Sequence, residues 1–127
     1  MRRHPRVRLA QPDAPPRSRE LHLVDAEAAD PRVLTDAAAL TAAARRAVAA
    51  GGGHVLDEAL VSFPNGAVTL VLVLAESHLS IHPWPEDRQV ALDLFSCGAI
   101  DAARVVRDVL RSLALRRAVV RRLDRGT

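Results

Sequence analysis

Residues 59–75 read A-L-V-S-F-P-N-G-A-V-T-L-V-L-V-L-A. The first five have strand composition, Pro64-Asn65-Gly66 is a turn tripeptide, and 67–75 is a run of β-branched and apolar residues. Strand, Pro-Asn-Gly, strand predicts a β-hairpin. Its second arm is apolar at nearly every position, which predicts a strand covered on both faces, one by helices and the other by a ligand or partner.

Upstream, residues 20–25 (E-L-H-L-V-D) alternate polar and apolar, as a strand buried on one face does. Residues 26–33 read as a loop with a turn at Asp30-Pro31. Thr35 is the expected N-cap of an Ala-rich helix over 37–50, with Leu40, Ala44 and Val48 on one face and Gly51-Gly52-Gly53 ending it. Downstream, 76–82 continue the hairpin's second strand with alternation, and 83–87 (P-W-P-E-D) must turn, because Pro cannot serve an interior ladder. Residues 90–95 read as a strand, 101–115 as a second helix, and 117–123 as an edge strand guarded by Arg pairs. The order β-α-β-β-β-α-β predicts an α+β two-layer sandwich, a mostly antiparallel sheet with two helices on one face.

The chain of 127 residues has the length of one domain. Its single Cys excludes an internal disulfide framework and fits a reducing compartment. Residues 1–19 carry six Arg against one acid, a balance of +5, whereas the rest carries twelve Arg against fourteen acids. The basicity therefore belongs to a leader expected to be disordered, and 20–127 form the domain; no nucleic-acid partner is expected. No apolar run reaches membrane-spanning length and no signal h-region follows Arg2-Arg3, so the protein reads as cytoplasmic. All eighteen basic residues are Arg. Without Lys there is no internal Schiff base to pyridoxal phosphate, and amine chemistry must use another electrophile.

Chemistry-bearing residues concentrate at 76–97, E-S-H-L-S-I-H-P-W-P-E-D-R-Q-V-A-L-D-L-F-S-C. Ser77 lacks the G-x-S-x-G frame of a hydrolase elbow. His78 and His82 stand four apart, about 13 Å along a strand. A zinc site with Asp93 and Cys97 would need a bend, and no metal is expected. Taken singly, each residue has an ordinary explanation: a turn serine, a hydrogen-bonded histidine, a buried thiol, a solvated Glu86.

Together, E-S-H-L-S-I-H-x-W-P-E followed by D-L-F-S-C-G resembles the prokaryotic S-adenosylmethionine decarboxylase proenzymes. The resemblance extends over about 20–126 through H-L-x-x-D (His22 to Asp25), F-P-N-G-A-V-T and the closing Arg125-Gly126. It implies self-cleavage between Glu76 and Ser77, with Ser77 converted to a covalent pyruvoyl group that forms the Schiff base with substrate. It also implies His82 as processing base and Cys97 as proton donor. Adenine stacking maps to Phe63, ribose recognition to Glu86, and a hydroxyl position that is often Ser to Thr69. The implied activity is decarboxylation of S-adenosylmethionine to the aminopropyl donor of spermidine synthesis, in a homodimer whose sites draw on both protomers. Pro83 and Asp87-Arg88-Gln89 depart from the family pattern beside the substrate pocket. Ornithine or arginine therefore remain alternative substrates, and a non-enzymatic, basic-tailed binding homologue is the third reading.

Overall fold

The structure, a computed structural model, describes residues 19–126. In chain order these form β1 (Arg19–Ala28), a 3-10 turn (Pro31–Thr35), α1 (Ala37–Ala50), β2 (Val55–Ser62), β3 (Val68–Leu74) and β4 (Ser77–Trp84). A second 3-10 turn (Pro85–Asp87), β5 (Gln89–Cys97), α2 (Ala102–Ser112) and β6 (Leu115–Arg125) complete them. The six strands make one antiparallel sheet in the order β2-β3-β4-β5-β1-β6. The α+β two-layer sandwich expected from the sequence is the observed fold.

Both helices lie on one face, α1 over β2 and β3, α2 over β5, β1 and β6. Leu40, Ala44 and Val48 of α1 and Val105 and Val109 of α2 are fully buried against Leu70, Leu72, Leu79, Ile81 and Leu94 of the central strands. Burying each such Leu or Ile is worth about 1.5–3 kcal/mol. The small side chains of α1 let the two helices approach, and the Asp101 N–H donates to the Gly51 carbonyl where they meet. The other face of the sheet is open: Val61, Phe63, Val73, Trp84, Val119 and Leu123 are each roughly half exposed. Within the chain, β3 is thus covered on one face only.

Several boundaries differ from the sequence reading. Residues 76–82 do not prolong β3. The chain reverses at Ala75-Glu76, and β4 runs back beside β3 with Leu74 opposite Ser77, giving six strands rather than five. The turn expected at 83–87 starts two residues later, because the β3–β4 ladder ends at Leu70–Ile81 while β4–β5 pairing runs on to Trp84–Gln89. Pro83 therefore has no β3 ladder to interrupt. Asp36, not Thr35, caps α1: its carboxylate accepts the Ala39 N–H, while the Thr35 hydroxyl donates to the Arg32 carbonyl inside the 3-10 turn. The loop expected from residue 26 begins after Ala28, and α2 stops at Ser112 so that β6 can start at Leu115. Arg19 opens β1 opposite Cys97 and Arg125. The rest of the expected leader lies outside the described residues.

Candidate active site

The β3–β4 connection is a two-residue turn, Ala75-Glu76, between Leu74 and Ser77. Tight hairpins of this kind draw on Gly or Asn for positive φ. Here the strain falls on Ser77, whose φ of 134° is one that side-chain-bearing residues rarely adopt. Such a conformation costs on the order of 1–3 kcal/mol and persists only when neighbours over-determine it.

Those neighbours are identifiable. The Glu76 carbonyl accepts the Cys97 backbone N–H at 2.9 Å. The Glu76 carboxylate accepts the His54 backbone N–H at 2.9 Å through Oε1 and meets His54 Nδ1 at 2.9 Å through Oε2. The Ala75 N–H in turn donates to the His54 carbonyl. Burial alone would raise the Glu76 pKa, but the hydrogen bonds from the His54 ring and backbone outweigh it and hold the carboxyl below its ordinary value. Gly53 keeps this corner open, since a Cβ there would press on Val48 and Ile100.

The Ser77 hydroxyl lies 3.4 Å from His78 Nδ1, and Ser77 pairs with Ser96, the residue before Cys97. Cys97 is a partly exposed free thiol whose side chain shares the open face with Asp93 and Phe95 by the strand's period of two. Phe95 is flanked by the His78 ring, centroids 6.0 Å apart, and by the Arg125 guanidinium 5.0 Å above it. This first group can do acyl chemistry: a hydroxyl, an adjoining carbonyl with an N–H already aimed at its oxygen, and a thiol on the neighbouring strand.

A second group gathers at the far end of β4. Phe63, Asn65, Thr69, His82, Trp84 and Glu86 line a cleft of about 500 Å³. The β2–β3 turn supplies Asn65, whose Oδ1 accepts the Ala67 N–H and whose Nδ2 therefore points to Glu86 Oε2 at 3.4 Å. The sequence-expected residues are thus split in two. Glu76, Ser77 and Cys97 meet at one end, and Phe63, Thr69, His82 and Glu86 at the other. Ser77 and His82 stand five strand positions apart, roughly 16 Å. Between the groups, the buried Ser80 hydroxyl donates to Asp93. Among the described residues no three His, Cys, Asp or Glu side chains converge in a metal-binding cluster. Nor is any described helix long and apolar enough to cross a membrane. His22, part of the early motif, is buried on the helix-facing side beside Val106 and Leu110, away from both groups.

Sequence reasoning missed three contributors: the reversal at Ala75-Glu76, the Cys97 backbone N–H, and His54. Only the first left a trace, in the abrupt change from a continuous apolar run to alternation at Glu76.

Comparison with known proteins gives the chain a family. The sequence model described as S-adenosylmethionine decarboxylase matches residues 20–126. The chain belongs to this family. It is 32% identical over 106 residues to the S-adenosylmethionine decarboxylase proenzyme of Pyrococcus abyssi, covering 83% of this chain and 76% of that one. The proenzyme of the same name from Pyrobaculum arsenaticum is 43% identical over 70 residues, 54% of this chain and 56% of the relative. That of Pseudomonas aeruginosa PAO1 is 40% identical over 73 residues, 57% of this chain and 46% of the relative. The chain therefore spans about half the length of the Pseudomonas and Pyrobaculum relatives it matches. The crystal structure of adenosylmethionine decarboxylase from Aquifex aeolicus superposes with a TM-score of 0.79 at 24% identity, over 87% of this chain and 92% of that one, a likeness of fold.

Proposed function

We propose that the chain is a self-processing, pyruvoyl-dependent S-adenosylmethionine decarboxylase that works as a homodimer and supplies the aminopropyl donor for polyamine synthesis. The observation that carries this reading is the Glu76–Ser77 bond itself: a positive φ at Ser77 beside a carbonyl already hydrogen-bonded to the Cys97 N–H.

Processing begins when Ser77 Oγ adds to the Glu76 carbonyl carbon, and the charge that develops on the oxygen is borne by the Cys97 N–H. The hydroxyl proton passes to the Ser77 nitrogen as the C–N bond breaks, leaving an ester and a free Ser77 amine and releasing the strain of the turn. His82 then takes the Ser77 α-proton, the ester C–O bond breaks, and Glu76 leaves as the carboxylate end of a 1–76 chain. Water and loss of ammonia convert the remaining dehydroalanine at position 77 into the pyruvoyl group. That group supplies the carbonyl electrophile that draws electrons from the substrate as CO₂ departs, a role pyridoxal phosphate could fill only with a Lys. Cys97, on the strand beside position 77, returns a proton to the decarboxylated carbon. Phe63 offers a flat apolar ring for adenine, Glu86 accepts hydrogen bonds from the ribose hydroxyls, and Thr69 places a hydroxyl beside the His82 cleft.

The split between the two groups supports the dimer. An open, apolar sheet face is available to a second copy. A two-fold axis lying between the stacked faces and across the strands would bring the Ser77 end of one protomer against the His82 end of the other. Denaturing mass spectrometry of purified protein tests the first step: the wild type should give two chains ending at Glu76 and beginning at residue 77, and Ser77→Ala a single 13.7 kDa species. Persistent intact wild type would sink the reading. Release of CO₂ from S-adenosylmethionine, ornithine and arginine then tests the substrate, with turnover expected for the first alone.

A further inference from the structure

We infer that His54 is a positioning residue for self-processing: it clamps the acyl half of the bond that breaks. The inference rests on the self-cleavage proposed above. No part of the decarboxylation chemistry needs His54, whose ring is largely exposed, and it lies twenty-two positions before Glu76, immediately before β2.

Ser77 holds a strained φ that can relax in two ways. Cleavage removes the strain by chemistry. Rotation of the Ala75-Glu76 turn removes it without chemistry, and swings the Glu76 carbonyl off the Cys97 N–H. Four contacts oppose that rotation, and three of them come from His54: its carbonyl on the Ala75 N–H, its N–H on Glu76 Oε1, and its ring Nδ1 on Glu76 Oε2. The fourth is the Cys97 N–H on the carbonyl itself. Only about 15% of the Glu76 side chain is exposed, so its carboxylate has little water to replace a lost partner. The ring contact is the one of the three that depends on the identity of residue 54. It converts a strained turn that could unwind into one whose easiest release is the acyl shift.

The test uses the full chain with His54→Ala and His54→Asn, since an Asn side-chain NH₂ stands close to where the ring Nδ1 does. Self-cleavage is followed by denaturing mass spectrometry, with circular dichroism and thermal midpoint alongside. His54→Ala should slow cleavage about tenfold, the worth of one hydrogen bond to a charged group, with the fold unchanged. His54→Asn should recover most of the rate. Cleavage of the Ala variant at the wild-type rate overturns the clamp and leaves self-processing standing, as does an Asn variant no faster than Ala. A wild type that never cleaves overturns both.

Discussion

The separation of Ser77 from His82 makes intersubunit complementation the sharpest test of how the site is built. Along β4 the two residues are about 16 Å apart, against the roughly 3 Å over which a proton can be handed between hydrogen-bonded atoms. No rotamer of His82 closes that gap inside one chain. Facing sheets, by contrast, pack about 10 Å apart with their side chains interdigitating, within reach of a His from the opposite face. Consider a chain with Ser77→Ala co-expressed with one carrying His82→Ala. Neither can process alone. In the proposed mixed dimer, the end of one chain that carries the intact Ser77 meets the end of the other that carries the intact His82, so one of the two sites would be complete. With random pairing at equal expression, about half of the His82→Ala chains sit in mixed dimers. About half should therefore cleave, while the Ser77→Ala chains stay whole. The assay is denaturing mass spectrometry with a mass tag on one variant. No cleavage in the mixture, alongside a wild type that cleaves, would refute a shared site. Wild-type cleavage by His82→Ala alone would refute His82 as base and point to His78, whose Nδ1 is already 3.4 Å from the Ser77 hydroxyl.

The remaining expectations concern separate parts of the same arrangement. Cys97→Ala keeps the backbone N–H on the Glu76 carbonyl, so cleavage should proceed within a few-fold of wild type, while CO₂ release falls about 10²–10⁴-fold with loss of the proton donor; equal losses in both would contradict the assignment. Val73→Asp puts a charge on the open sheet face, where Val73 is 43% exposed; light scattering should report a folded monomer, and cleavage should stop. Because the folded-state Glu76 pKa is depressed, the bonds from His54 stabilise the fold above the ordinary glutamate pKa and are lost as pH falls through the lower folded value. In urea titrations on the uncleaved Ser77→Ala background, adding Glu76→Gln should therefore flatten the fall in stability below about pH 4.5. An unchanged acid slope would remove Glu76 from the account.

The parts of this protein that the sequence made legible are those where local preference and global fold agree. Apolar runs at 67–75 and 90–95 became central strands, and the spacing of Leu40, Ala44 and Val48 became the buried stripe of α1. What was not legible lies where they disagree. A two-residue reversal made of Ala and Glu carries none of the residues that ordinarily announce a turn, and the cost of that choice appears as positive φ at Ser77. A more comfortable turn would have been easier to read and would have stored no strain at the bond proposed to break. The second failure has a similar root. Ser77 and His82 look adjacent in the sequence, and a strand is the conformation that drives near neighbours furthest apart. Recognising residues by type and order gave a list of candidates without their arrangement. Distance along β4 then argues something that the list could not. A lone chain holds its strained bond with the His82 cleft out of reach, so in the proposed scheme processing waits for a second copy, and the pyruvoyl group would be made only where a complete site already exists to use it.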